Sequence, residues 1–308
     1  SSANSSPKRS ETGGAGADKL SVRRAAEAAA AAFPALLIEA ERVASTVSAG
    51  LHGRHRAGPG ETFWQHRPYS FGDCVAAIDW RQSARSADRL YVRQHEWESA
   101  AAVWFWRDPS PSFDFASSPS VPTKRRRADI LVIAAAILLS QAGERVGLVG
   151  GRPRPFSGRA APALLLESLY APSAALASEP PAFAAGSGAR NVFVGDFYAA
   201  PEAFAAALKT AAAAGATGAL LQIVDPCEED FPYAGRTEFR DLESAARRLF
   251  GDAGAAKSAY RERFAAHRAA LIDLSRRYGW TFLAHRTDRP VAAALLALYA
   301  ALERKRRG

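Results

Sequence analysis

The chain has 308 residues, of which 48% are hydrophobic and 23% charged, and this composition excludes wholesale disorder. The length suits one large domain, or one domain with a small appendage. The formal net charge of +9 leaves nucleic acid, an anionic membrane surface and an acidic protein partner open. The two cysteines, Cys74 and Cys227, lie far apart and outside any CxxC pattern, which excludes a disulfide framework and favours a reducing compartment.

The N-terminal third divides into three predicted segments. Residues 1–18 are rich in Ser, Gly and Ala without apolar periodicity, which predicts a disordered leader. Residues 19–50 are Ala-rich and predict a helical segment interrupted at Pro34. Residues 51–99 carry aromatic side chains between turn residues, and this pattern indicates short strands and hairpins.

Short apolar strands and helices alternate over residues 100–308. This alternation predicts an α/β domain with a mainly parallel sheet and helices on both faces. The predicted strands are 101–106, 145–149, 191–194, 219–224 and 280–284, the helices are 124–141, 161–170, 201–214, 255–278 and 290–302, and a hairpin is predicted over 231–240. The longest apolar runs, 28–38 and 130–139, are too short to cross a bilayer, so we expect a cytoplasmic protein without a transmembrane segment.

Acidic residues follow three of the predicted strands, at Asp108, Asp196 and Asp225. Ligands bind at the carboxyl ends of parallel strands, so these loops are the candidate site. Asp108, Ser110 and Ser112 alternate, and in an extended loop their oxygens face one side, which suits Mg²⁺ or another hard cation. Asp196 is a candidate second carboxylate. A simple turn, with Asp196 as a helix N-cap, is the alternative interpretation.

Further charged clusters have two interpretations each. Arg81 and Arg85 either bind an acidic partner or phosphate, or pair structurally with nearby carboxylates, which we favour. Asp225, Glu228, Glu229 and Asp230 either recruit a cation or form a solvated acidic turn, which we favour. The chain has no G-x-x-x-x-G-K-[ST] segment, nucleophile elbow or H-E-x-x-H motif, so the sequence gives no sign of nucleotide hydrolysis.

Several ordered motifs connect the chain with a known family. Residues 67–73 read R-P-Y-S-F-G-D and residues 78–85 read I-D-W-R-Q-S-A-R. Residues 195–197 read G-D-F, and residues 225–235 contain D-P-C-E and F-P-Y-A-G. With the glycine-rich segment 58–63, they resemble, in order and spacing, the bacterial domain-of-unknown-function 58 family over about residues 50–300.

This resemblance implies a von Willebrand factor A-like fold. Domains of that type can bind a metal through D-x-S-x-S, a separate Thr and a separate Asp. Asp108, Ser110 and Ser112 match the first element and Asp196 matches the last, while the Thr has no clear counterpart beyond Ser157 in the same region. In relatives with a full site, a carboxylate of the binding partner fills the metal's open position. The family is also linked to AAA+ ATPases of the MoxR type.

Three functional hypotheses follow. The first is a non-enzymatic protein-binding module or adaptor that acts with a MoxR-type ATPase in protein assembly or maturation. It would engage its partner through Asp108, Arg81 and Arg85, with Mg²⁺ at Asp108, Ser110 and Ser112 as a possible cofactor. The alternative is a metal-dependent hydrolase in which Asp108 and Asp196 hold a water-activating cation. A nucleic-acid binder, suggested by the net charge, is the weakest because no nucleic-acid motif accompanies the scattered arginines.

Overall fold

The computed structural model describes most of the chain in two separate units. One unit is formed by residues 49–101, and the other by the remainder of the chain. The described residues are 14–52, 63–68, 83, 85, 91–95, 102–171, 178–240 and 246–304. Most of the predicted leader therefore lies outside the described residues, although helix α1, Gly14–His52, already includes residues 14–18.

Helix α1 continues through Pro34, although the sequence predicted an interruption there. Its side chains are described from residue 31, and one apolar stripe, formed by Leu36, Ala40, Ala44 and Val47, is buried. These positions recur every three or four residues, so they lie on one helical face. Burial of that face keeps the helix in place despite the backbone hydrogen bond that proline cannot donate.

The smaller unit contains a two-stranded antiparallel sheet. Strand β1, Phe63–Pro68, pairs with β2, Tyr91–His95. The backbone N–H of Tyr91 also donates to Ser83 Oγ at 2.8 Å.

The larger unit contains a five-stranded parallel sheet. Its strands lie in the order β4 (Arg145–Leu148), β3 (Ala102–Arg107), β5 (Arg190–Gly195), β6 (Thr217–Val224) and β9 (Thr281–Arg286). A single antiparallel bridge, between Val146 and Phe156, lies beside β4. In chain order the elements are β3 Ala102–Arg107, α2 Lys124–Gln141, β4 Arg145–Leu148, α3 Ala161–Leu169, β5 Arg190–Gly195, α4 Pro201–Ala213, β6 Thr217–Val224, α5 Pro226–Asp230, β7 Thr237–Arg240, β8 Arg247–Phe250, α6 Lys257–Arg277, β9 Thr281–Arg286 and α7 Val291–Arg304.

Helices cover both faces of this sheet. On one face, Trp104, Trp106 and Phe193 pack with apolar residues of α4 and α6, including Phe204 and Leu271. On the other face, α2 contacts α3, α7 and the central strands. Helix α2 is buried almost all round, which explains its continuous apolar run. The prediction of an α/β domain with a mainly parallel sheet and helices on both faces is confirmed.

The hairpin predicted over residues 231–240 is displaced. Strand β7 pairs antiparallel with β8. Residues 231–236, between α5 and β7, form no strand. The short helix α5 opens with a capping box of Asp225 and Glu228 and ends at Phe231, whose left-handed conformation (φ 44°) is incompatible with a strand. Among the described residues, no helix is long and apolar enough to span a membrane.

His285 on β9 gives the larger unit a specific pH dependence. Burial, reinforced by the charge of Arg127 and partly opposed by Asp288, lowers the pKa of His285 to about 4 from its ordinary 6.5. As the pH falls, His285 therefore becomes protonated near pH 6.5 in the unfolded chain but only near pH 4 in the folded chain. The contribution of His285 to the free energy of unfolding is therefore fully present above pH 6.5 and is lost as the pH falls from 6.5 to about 4.

We expect His285→Leu to remove this part of the acid sensitivity. Between pH 7.5 and 4.5 the wild type should lose about 2–3 kcal/mol more unfolding free energy than the variant, from a pKa difference of this size. Urea unfolding of both proteins across that pH range measures the gap. A gap that stays constant with pH would contradict the assignment.

Candidate functional site

The carboxyl ends of β3, β5 and β6 meet at one edge of the sheet. Asp108, Asp196 and Asp225 each follow directly on one of these neighbouring strands. The backbone N–H of Asp108 donates to the carbonyl oxygen of Val194 at 2.8 Å, which ties the first loop to the neighbouring strand. The three loops that carry these acidic residues therefore lie side by side at the carboxyl ends of the strands.

Asp108 is fully buried in its loop. Its Oδ1 accepts the backbone N–H of Ser110 at 2.8 Å. Its Oδ2 is buried and has no hydrogen-bond partner among the described residues. Burial, with a smaller contribution from the charge of Asp196, raises the pKa of Asp108 to about 6, although the hydrogen bonds from Ser110 oppose this. A buried carboxylate holds the loop and does not present itself to a partner.

The two serines connect the first loop to Asp196. Ser110 Oγ and Ser112 Oγ lie 2.9 Å apart, and Ser112 Oγ donates to Asp196 Oδ2 at 3.1 Å. The structure therefore brings together Ser110, Ser112 and Asp196, beside Asp108, as the sequence predicted for the metal site. Their oxygens form one polar cluster at the edge of the sheet.

Lys124 supplies the positive charge of this cluster. Its side chain is 1% exposed, and its Nζ lies 2.9 Å from Asp196 Oδ2 and 2.7 Å from Glu228 Oε1. Burial alone would lower the pKa of Lys124, but the charges of and hydrogen bonds to Asp196 and Glu228 raise it above its ordinary value. The side chain is therefore an ammonium at neutral pH.

Sequence reasoning missed both Lys124 and Glu228. Lys124 was part of the basic run 124–127, and Glu228 part of an acidic turn expected to be solvated. Glu228 lies three residues after Asp225, and this D-P-x-E spacing is typical of a capping box. The spacing could have placed Glu228 at the start of a helix beside Asp225. Asp225 Oδ1 accepts the N–H of Cys227, and Glu228 Oε2 accepts the N–H of Asp225.

The loop after Asp196 has a strained backbone. Phe197 has a φ of 55°, a left-handed conformation that costs energy for a bulky residue. Contacts from α6 and β6 support it. His267 Nε2 lies 2.6 Å from the carbonyl oxygen of Phe197, and Gln222 Nε2 donates to that of Asp196 at 3.0 Å. These contacts keep the Asp196 carboxylate directed at the cluster.

A cavity of about 470 Å³ opens beside the cluster. Ser112, Lys124 and Glu228 form part of its wall. Most of the remaining wall consists of aromatic rings, and we call the space the aromatic cavity: its rings are Phe115, Tyr198, Phe231, Tyr233, Phe239 and Tyr260. Several rings contact one another, among them Tyr233 and Phe239 with centroids 4.9 Å apart.

The residues of the cluster do not fit a divalent cation as they are arranged here. Asp196 Oδ2 already accepts hydrogen bonds from Ser112 and Lys124, so a metal would have to displace the ammonium. Among the described residues, no three His, Cys, Asp or Glu side chains are placed to hold a metal ion. The Mg²⁺ site predicted from the sequence stays an untested prediction, and this geometry does not favour it.

The other predicted site residues lie apart from the cluster. Arg81 is outside the described residues, and Arg85 is exposed in a turn of the smaller unit. Ser157, suggested in place of the missing Thr, is exposed next to the Val146–Phe156 bridge. An exposed side chain does not belong to this buried cluster, so the structure gives Ser157 no part in it.

Family comparison agrees with the motifs. Residues 65–270 match the family described as protein of unknown function DUF58. The chain belongs to the DUF58 family. Uncharacterized proteins of Mycobacterium bovis and Mycobacterium tuberculosis are 28% identical over 275 residues, which cover 82% of this chain and 84% of theirs. These DUF58 relatives carry no assigned activity in their names.

Two solved structures give distant matches to this DUF58 chain. One is an aerotolerance-related membrane protein from Bacteroides fragilis, with 13% identity and a TM-score of 0.39. The other is the conserved hypothetical protein BatB from Bacteroides thetaiotaomicron, with 12% identity and a TM-score of 0.36. Each match covers 66% of this chain and 99% of the other.

Proposed function

We propose that this chain is a non-enzymatic protein-binding module that acts with an AAA+ ATPase of the MoxR type in the assembly or maturation of other proteins. The observation that carries the proposal is the aromatic cavity at the carboxyl edge of the sheet. Aromatic side chains with adjacent polar groups are typical of the pockets that accept a partner's anchor residue. The MoxR-type partner is the one that the family resemblance of the sequence motifs implies.

The cavity wall suits binding through an inserted apolar side chain. Tyr233 and Phe239 are half-buried, and Tyr198 is 42% exposed, so their rings offer surface to a partner. Large rigid rings give contact area at a low cost in conformational entropy. The buried Lys124 cluster behind them fixes one wall, which pre-organises the cavity.

The reactive groups at the edge support binding over catalysis. Burial raises the pKa of the Cys227 thiol to about 12, so the thiol is protonated and a poor nucleophile at neutral pH. Ser112 is hydrogen-bonded to Asp196, and the ring of His267 contacts a backbone carbonyl. These groups hold loops together, whereas hydrolysis through a covalent intermediate needs a protein nucleophile with a base directed at it. The hydrolase and nucleic-acid alternatives stay predictions.

Tyr233→Ala tests this function. Removal of the ring should weaken binding to a purified MoxR-type ATPase of the same organism by about tenfold or more, the range of an interface anchor. Biolayer interferometry with the immobilised chain measures the affinity. Leu249→Ala is the matched control, because Leu249 lies 57% exposed on β8 and does not line the cavity. Absence of wild-type binding, or equal affinity of wild type and Tyr233→Ala, would contradict the proposal.

A further inference from the structure

We propose that the Lys124 ammonium is the resident cation of this site and that the site works without a metal. The ammonium takes the place of the divalent metal that von Willebrand factor A-like domains with a full D-x-S-x-S site can bind. The inference deepens the proposed function, because it concerns the wall of the same cavity. Its test measures metal binding to the chain alone, so it can fail or succeed independently of any partner.

Hydrogen bonds hold the ammonium of Lys124 against two carboxylates. Nζ donates to Asp196 Oδ2 at 2.9 Å and to Glu228 Oε1 at 2.7 Å, the lengths of charge-assisted bonds. Asp196 Oδ2 also accepts the hydroxyl of Ser112. The ammonium is therefore bound to the same Asp196 oxygen, Oδ2, that a metal held through Asp196 and Ser112 would need.

Aromatic rings surround the ammonium of Lys124. Nζ lies 5.1 Å from the ring centroid of Tyr198, 5.9 Å from that of Phe115 and 6.0 Å from that of Phe113. Aromatic faces within about 6 Å stabilise an organic cation. A hard divalent ion prefers oxygen ligands and water, which these rings do not provide. The enclosure therefore matches an ammonium better than Mg²⁺.

Besides the ammonium, the polar side-chain atoms of the cluster are carboxylate and hydroxyl oxygens. Asp108 Oδ2 is buried without a hydrogen-bond partner among the described residues. The same loop carries the Ser110 and Ser112 hydroxyls, which lie 2.9 Å apart. With the ammonium removed, Asp108, Asp196 and Glu228 would leave excess negative charge beside these hydroxyls. Such a set of hard oxygens attracts Mg²⁺ or Mn²⁺. Lys124 is therefore the group that keeps a metal out.

Manganese binding measured by electron paramagnetic resonance tests this inference. The wild type should show no saturable Mn²⁺ binding, whereas Lys124→Ala should bind one Mn²⁺ per chain and unfold at a higher temperature when Mn²⁺ is added. Arg126→Ala is the matched control on the same helix, because Arg126 is exposed and pairs with Glu39 away from the cluster. It should behave as the wild type does.

A second variant guards against failure of Lys124→Ala to fold. In the double variant Lys124→Ala/Glu228→Gln, only the Asp196 carboxylate loses its ion-pair partner, because residue 228 no longer carries a charge. The oxygens of Asp108, Ser110, Ser112 and Asp196 are kept. It should also gain one Mn²⁺. Stoichiometric Mn²⁺ binding by the wild type would overturn the inference, and so would a folded double variant that binds no Mn²⁺.

Discussion

Lys124→Met should destabilise the protein by about 3–5 kcal/mol, because it leaves the carboxylates of Asp196 and Glu228 without their buried positive partner. Methionine has a similar length, so the loss reports charge more than packing. The Lys124 side chain is 1% exposed, so water cannot replace the missing ammonium in the folded protein. Chemical denaturation at neutral pH, followed by tryptophan fluorescence, measures the change.

Arg126→Met provides the comparison for this effect. Arg126 is two residues further along α2, and its pair with Glu39 has side chains that are 44% and 37% exposed. Exposed ion pairs contribute only about 0–1 kcal/mol, so this variant should lie close to the wild type. Equal stability losses for the two variants would show that Lys124 has no special place in the site.

Asp129→Ala should also cost about 3–5 kcal/mol, because it strands the buried charge of Arg107. Arg107 Nε lies 3.1 Å from Asp129 Oδ1, and neither side chain is more than 3% exposed. The Tyr170 hydroxyl also donates to Asp129. Arg107 donates in turn to the carbonyl oxygen of Asp108 at 3.2 Å, so the network supports the loop of the candidate site.

Asp114→Ala is the control for this network. Asp114 pairs with Arg125, but its side chain is 61% exposed. We expect a loss of at most about 1 kcal/mol, as for other exposed pairs. Thermal unfolding of the two variants measures how much stability each substitution removes. If Asp129→Ala lost as little stability as Asp114→Ala, the structural role assigned to the Arg107–Asp129 pair would be wrong.

The parallel sheet could be predicted because its strands are short, continuous apolar runs. Residues 219–224 lie in such a run, and β6 has seven buried residues at positions 218–224. The loop Asp108-x-Ser110-x-Ser112 could be placed at the strand ends because chain order alternates strands and helices. Both predictions depend on local patterns, which a single sequence displays directly.

Lys124 could not be assigned to the site from local patterns. Its partners Asp196 and Glu228 lie 72 and 104 residues further along the chain. A lysine that begins a basic run is normally solvated, and only the packed fold shows that this one is buried while Arg126 is exposed. The left-handed conformation of Phe197 is equally a product of tertiary contacts.

A crystal structure of the wild type grown with Mn²⁺, with anomalous diffraction data, tests the central claim most directly. We expect Lys124 Nζ between the carboxylates of Asp196 and Glu228, with no anomalous peak among Asp108, Ser110 and Ser112. A manganese peak coordinated by Asp108 and Ser112, with Lys124 turned away from Asp196, would contradict it.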